Sequence, residues 1–131
     1  MTPFVVYAVG GDKPGHILRA GASSSSAIGI QAQDGEAVVR GEADPATEMV
    51  ADGTIVPRPA AGLAMEVEVE AGAAILVEVP EGAKLRRPGD SEWQVAEDGL
   101  IEVELVPGEV FLCHVRPPWP VMEYTLRVHA A

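Results

Sequence analysis

Apolar and polar residues alternate with a period of two along much of this chain. Gly or Pro breaks the alternation after roughly five to eight residues. Across residues 64–70, Met65, Val67 and Val69 share one side while Glu66, Glu68 and Glu70 share the other. Ile101, Val103 and Leu105 stand opposite Glu102 and Glu104 in the same way. Near the C-terminus Met122, Tyr124, Leu126 and Val128 oppose Glu123, Thr125, Arg127 and His129. Successive side chains of a strand point to opposite faces, so these segments predict half-buried antiparallel strands. No stretch carries ten residues of helical periodicity free of breakers, and no long helix is expected.

The turn chemistry agrees with a chain of short strands. Asp34-Gly35, Asp52-Gly53 and Asp98-Gly99 each separate apolar segments, the pattern of tight hairpins. Pro80-Glu81-Gly82, Pro88-Gly89 and Pro107-Gly108 mark further reversals. Asp44-Pro45 is the one helix-like start and leads to a single turn at most. Strands are expected near residues 4–9, 16–20, 27–31, 37–40, 48–50 and 54–56. A second group is expected near 63–70, 75–79, 84–87, 93–95, 100–106, 110–116 and 122–130. Between the groups lies Val56-Pro57-Arg58-Pro59-Ala60, where proline removes ladder donors and stiffens the chain. The chain thus reads as all-β: an N-terminal β-module over residues 1–60 and a C-terminal β-sandwich over 61–131, immunoglobulin-like or jelly-roll-like. Ser23 to Ser26 form a polar run that reads as a flexible loop.

Charge narrows the partners. The chain of 131 residues carries a net −11, of which residues 61–131 supply −8, with five Lys/Arg against thirteen Asp/Glu. Nucleic-acid affinity comes largely from Lys and Arg displacing counterions, so nucleic acid and anionic membranes are disfavoured. One cysteine, Cys113, forbids an intrachain disulfide and suits a reducing compartment. No signal-like segment opens the sequence and no apolar run reaches membrane-spanning length. Synthesis in the cytoplasm without membrane insertion is the expectation.

No constellation of residues points to catalysis. Gly21-Ala22-Ser23-Ser24-Ser25 lacks the spacing of a nucleophile elbow. Cys113 and His114 are adjacent on an expected strand, so their side chains point apart, and Cys113 reads as a small buried hydrophobe beside Phe111 and Val115. His114 and His129, on neighbouring strands, could meet across the ladder, with Glu102 or Glu104 completing a zinc set; no ligand spacing supports this, and exposed histidines are expected. The glutamate rows lack a calcium-loop pattern, and Gly10-Gly11-Asp12-Lys13-Pro14-Gly15 opens no helix for a phosphate. No catalytic, cofactor-binding or metal-binding residue is therefore assigned. The segment that stands out is Arg116-Pro117-Pro118-Trp119-Pro120, where prolines hold a tryptophan between two apolar strands. Trp and Arg are favoured contact anchors, so Trp119, Pro118 and Arg116, with Trp93, are the candidate binding residues; Trp119 could equally cap the core.

Two stretches carry a resemblance. Residues 31–50, which contain Gly35-Glu36-Ala37-Val38-Val39-Arg40-Gly41-Glu42-Ala43-Asp44, are followed by Asp52-Gly53-Thr54-Ile55-Val56-Pro57-Arg58-Pro59. In the second half come Val79-Pro80-Glu81-Gly82-Ala83, Asp98-Gly99-Leu100-Ile101-Glu102 and Pro107-Gly108-Glu109-Val110. They are followed by the Pro117-Pro118-Trp119-Pro120 loop and the strand Glu123-Tyr124-Thr125-Leu126-Arg127-Val128. Together these resemble small tail-fibre-associated and tail structural proteins of tailed bacteriophages. The resemblance implies a virion protein of the tail, baseplate or fibre, without catalytic residues. It implies contacts with other virion proteins and symmetric repetition, a homo-oligomer such as a trimer. A carbohydrate- or receptor-binding module touching a host surface glycan, a capsid decoration protein and an assembly factor are the alternatives.

Overall fold

The computed structural model describes residues 1–130, and it is an all-β protein. The chain divides into two compact units, Met1–Pro59 and Ala60–Ala131. No helix among the described residues is long and apolar enough to cross a membrane.

The first unit is built on a three-stranded antiparallel sheet ordered β2-β1-β3, with β1 Thr2–Ala8, β2 Ile17–Ser23 and β3 Glu36–Arg40. The central strand is apolar without alternation because both its faces are covered. Phe4 and Val6 pack with Ile28 on one side, and Val5 packs with Ile17 and Val50 on the other. A separate hairpin joins β4 Glu48–Ala51 to β5 Thr54–Pro57 through Asp52-Gly53. Both turn residues have positive φ, the backbone that a two-residue loop of this hand requires and that Asp and Gly tolerate.

Three expectations for this unit are corrected. Residues 27–31 are not a strand: Ser25–Gln31 is a 3-10 helix, which also absorbs half of the expected serine loop, while Ser23 closes β2. The helix forms because it buries Ile28 against Phe4 and Val6 while Ile30 stays in water, a three-residue rather than two-residue logic. Gln31 and Arg19 then hold its end: Gln31 Nε2 donates to the Ala27 carbonyl, and Arg19 Nη2 donates to the Gln31 carbonyl at 2.6 Å. Asp34-Gly35 is a turn between this helix and β3, not a hairpin.

The resemblance-bearing residues of this unit lock together in space. Arg58 is 9% exposed and its guanidinium donates to the carbonyls of Pro45 and Ala46, while its own N–H donates to Thr47. One buried cation thereby pairs the Pro45 and Ala46 carbonyls, while the Asp44 carbonyl accepts from the Thr47 and Glu48 N–H groups of the same turn.

The second unit holds two sheets around one core. The larger is ordered β6-β12-β11-β8-β9, from Glu66–Val69, Tyr124–Ala130, Val110–Arg116, Ala83–Arg86 and Gln94–Ala96. The smaller pairs β10 Leu100–Glu104 with β7 Ala74–Glu78. Val77, Val103 and Leu105 from the small-sheet side join Val69, Ala83, Cys113, Val115, Leu126 and Val128 in a single buried cluster. The alternation predicted for these strands places those residues inward and Glu66, Glu68, Glu102 and Glu104 outward.

The topology is that of an immunoglobulin-type Greek key. β7 and β10 take the places of strands B and E on one sheet, and β8, β9, β11 and β12 take those of C, C′, F and G on the other. β6 adds to the edge beside β12 in parallel, which corrects the antiparallel expectation for residues 64–70. Asp98-Gly99 also differs from expectation: it turns the chain between β9 and β10, which lie in different sheets.

Candidate functional site: an aromatic and cationic sheet face

The outer face of the five-stranded sheet follows from the same alternation that fills the core. With Ala83, Val115, Leu126 and Val128 buried, Lys84, Arg86, Arg116 and Arg127 must face out. Antiparallel register sets Arg86 opposite His114 and Lys84 opposite Arg116. Trp93, half-buried just before β9, completes the group.

These side chains are organised around the indole. The Arg116 guanidinium lies 4.2 Å from the Trp93 ring centroid and that of Arg86 lies 4.5 Å from it. His114 meets the same ring edge-on, with centroids 5.5 Å apart. Glu123 anchors the far side, accepting from Arg116 Nε at 2.6 Å and standing 3.4 Å from His114 Nε2. Burial alone would raise the Glu123 carboxyl, but the Arg116 hydrogen bond and charge, with His114, hold it below the usual carboxylate range. A second exposed cluster lies further along the sheet, where Glu66 accepts from Arg127 at 2.8 Å and lies 3.7 Å from His129. Each cation–π contact at an exposed site is worth only about 0.5–1 kcal/mol. Their consequence is order: a tryptophan and two long guanidinium side chains are held in place before any partner arrives, which lowers the entropy lost on binding.

Of the four candidate binding residues, the structure joins Arg116 to Trp93. Pro118 is exposed and Trp119 half-buried on the β11–β12 loop, which includes a cis Trp119-Pro120 bond. A Cβ built on Gly82 would stand 3.7 Å from Pro118, so this loop neighbours the Pro80-Glu81-Gly82 turn. Arg86, His114 and Glu123 were not foreseen as members. Arg86 could have been found from the outward parity of β8, but its approach to Trp93 depends on which strand borders β8, and that is a tertiary fact.

The imagined zinc set does not assemble. His114 pairs with Thr125 and His129 with Val110, so the imidazoles sit four ladder positions apart, and Glu102 and Glu104 belong to the other sheet. Among the described residues no group of three or more His, Cys, Asp or Glu is placed to hold a metal ion. Cys113 is buried, and burial pushes its thiol up. No protein-family model matches this chain, and no curated protein or solved structure matches it either.

Proposed function

We propose that this chain is a binding and assembly protein of a tailed-bacteriophage virion, in the tail, baseplate or fibre region. In this reading the outer sheet face of its second unit makes the contact with a neighbouring protein. The setting rests on the resemblance carried by residues 31–59 and the turns of the second half. The mode of action rests on one observation: Trp93 held under two guanidiniums and beside His114 on an exposed sheet. Trp and Arg dominate protein contact energetics, and a pre-ordered cluster is what a recognition anchor requires. Guanidiniums already lie over the indole where a sugar ring would stack, which favours a protein partner over a host glycan.

The test is quantitative mass spectrometry of purified particles of the phage that encodes the chain, with wild type and Trp93→Ala compared. The expected result is the wild-type protein at fixed stoichiometry with tail proteins, and a variant that folds but is depleted from particles. Absence of the wild-type protein from mature particles would overturn the virion reading. Normal incorporation of Trp93→Ala would remove the assigned face.

A further inference from the structure

The two sheets of the second unit are unequal, and the difference leaves one flank of the core uncovered. Strands sit about 4.8 Å apart, so a five-stranded sheet is roughly 14 Å wider than the two-stranded sheet packed on it. In immunoglobulin-type order a further strand, D, runs beside the equivalent of β10; no strand among the described residues lies there. A cleft of about 670 Å³ occupies that flank. Its lining includes Leu85, Ile101 and Phe111, which pack on the core yet stay half-exposed. Leu100, Ile101 and Glu102 form its border along the free edge of β10. The Val79 N–H donates to the Gly99 carbonyl at 2.9 Å, which fixes the phase of the ladder: Val77 with Ile101 and Ile75 with Val103 are the hydrogen-bonded pairs. The main-chain groups of Glu102 and Glu104 therefore point away from β7, and no described residue bonds to them. The Leu100 N–H, which points the same way, is taken by Asp98 Oδ1 at 3.1 Å. The opposite edge of the small sheet differs, since the chain's own Leu63 and Ala64 flank β7 across a 280 Å³ hollow. Charge is uneven across the cleft. Glu97, Asp98 and Glu102 line it without an ion pair among the described residues, whereas the cations facing them are engaged, Arg87 with Asp90 at 3.5 Å and Arg86 on the Trp93 ring.

We infer that this flank is a strand-addition site, and that its occupant is an extended segment of a different protein, apolar at alternate positions and basic at those between. Each property of the occupant follows from one wall of the cleft. A row of unpaired N–H and C=O groups is matched by another extended backbone, which repeats donors and acceptors at the same spacing. Alternate side chains of an added strand point inward, onto Leu85, Ile101 and Phe111, and these must be apolar. The side chains between them stand on the outer surface beside Glu102 and Glu104, where cross-strand pairing favours Lys or Arg. This chain does not supply such a segment to a second copy. Lys84 and Arg86 are its only cations spaced two residues apart, and the strand that carries them, β8, is already paired on both edges. An edge of five residues gives a contact of the weak class, suited to reversible attachment or to repetition in an assembly. The inference goes beyond the contact assigned to the Trp93 face and does not rest on it.

The test is an NMR titration of the full chain, followed by amide hydrogen exchange, with two blocked synthetic peptides of about seven residues. In one, lysine and valine alternate; in its isomer the lysines form one block and the valines another, so charge and composition are equal and only the alternation is lost. The alternating peptide is expected to bind saturably and to slow exchange of the Glu102 and Glu104 amides by at least about tenfold, and the isomer to bind at least about tenfold more weakly. Glu102→Pro removes an edge donor that the ladder with β7 does not use, and Glu102→Lys with Glu104→Lys reverses the exposed charge; each should weaken binding at least about tenfold. The charge-reversed protein, altered only at exposed positions, should keep the wild-type circular-dichroism spectrum and melting temperature, so the test stands even if the proline variant misfolds. No saturable binding up to about 1 mM peptide overturns the inference, as does equal binding of the isomer or binding that leaves the two amides unprotected. Charge reversal without effect overturns the basic occupant. Protection of the same amides that rises with protein concentration alone overturns the different partner in favour of edge pairing between copies.

Discussion

The two units solve the burial problem in different ways. The second buries one face of each of two sheets against the other, so twelve residues form one continuous cluster and the opposite faces are left to carry charge. The first buries both faces of a single strand, β1, under two small clusters of three residues each. A two-sheet sandwich is held by area. The first unit has less to bury at each cluster, and it depends on single groups that close its loops: Gly15, Arg58 and Arg19. The difference teaches where each unit is fragile. In the second, damage scales with the apolar volume removed; in the first, it falls on positions whose side chains add no apolar volume to the clusters.

The largest expected effect is at Gly15. It is buried with φ +83°, and a Cβ there would overlap the Val50 carbonyl, a backbone atom that cannot swing aside; its own carbonyl accepts from the Val50 N–H at 3.0 Å. Gly15→Ala should cost more than about 3 kcal/mol, since strained φ and steric overlap add. Hydrogen exchange should show the loss in residues 1–59 and spare the second core; equal loss in both units would break the comparison. Next comes Leu126→Ala, at a fully buried position of the sandwich, expected to cost about 2–5 kcal/mol by chemical denaturation. A cost below about 1 kcal/mol would mean that the second core is not the continuous cluster described.

Arg58→Met keeps the stem but strands the carbonyls of Pro45 and Ala46, and should lower stability by about 1–3 kcal/mol. If it proves neutral, water replaces the guanidinium and the motif has another use. The smallest effect is a pH dependence confined to the first unit. His16 titrates below its ordinary 6.5 because burial disfavours the charged ring, with Lys13 and Arg58 adding repulsion. A depressed pKa means the unfolded chain binds the proton first, so stability is complete above 6.5 and declines as pH falls from there toward the lowered value. Denaturation followed from pH 7.5 to 5.5 should show this slope, and His16→Gln should flatten it; an unchanged slope would assign the dependence to other groups.

Much of the second unit was legible from the residues. Alternation at Val67 to Glu70, Ile101 to Leu105 and Tyr124 to Val128 correctly named the inward side chains, because a two-residue period is a property of the extended backbone itself, whereas Met65, expected on the same inward side, lies just before β6 and is 59% exposed. The same rule failed at Ala27-Ile28-Gly29-Ile30, where Ile28 and Ile30 looked like one face and the structure buries one and exposes the other. A run so short satisfies both periods, and the choice was made by Phe4 and Val6, far away in sequence. Trp93 and Arg116 were legible as residue types suited to contact, whereas Arg86, His114 and Glu123 became members of the same site only through strand order.

By itself the sequence determined the all-β character, the break near Pro57 and Pro59, and which side of most sandwich strands is wet, since backbone geometry and turn chemistry are local. Tertiary structure alone decided that β6 runs parallel to β12, that Asp98-Gly99 leads between sheets, and that Arg86 and Arg116 converge on Trp93. Register and strand order depend on how the cores close, and core closure is a sum over contacts between residues that the sequence keeps apart.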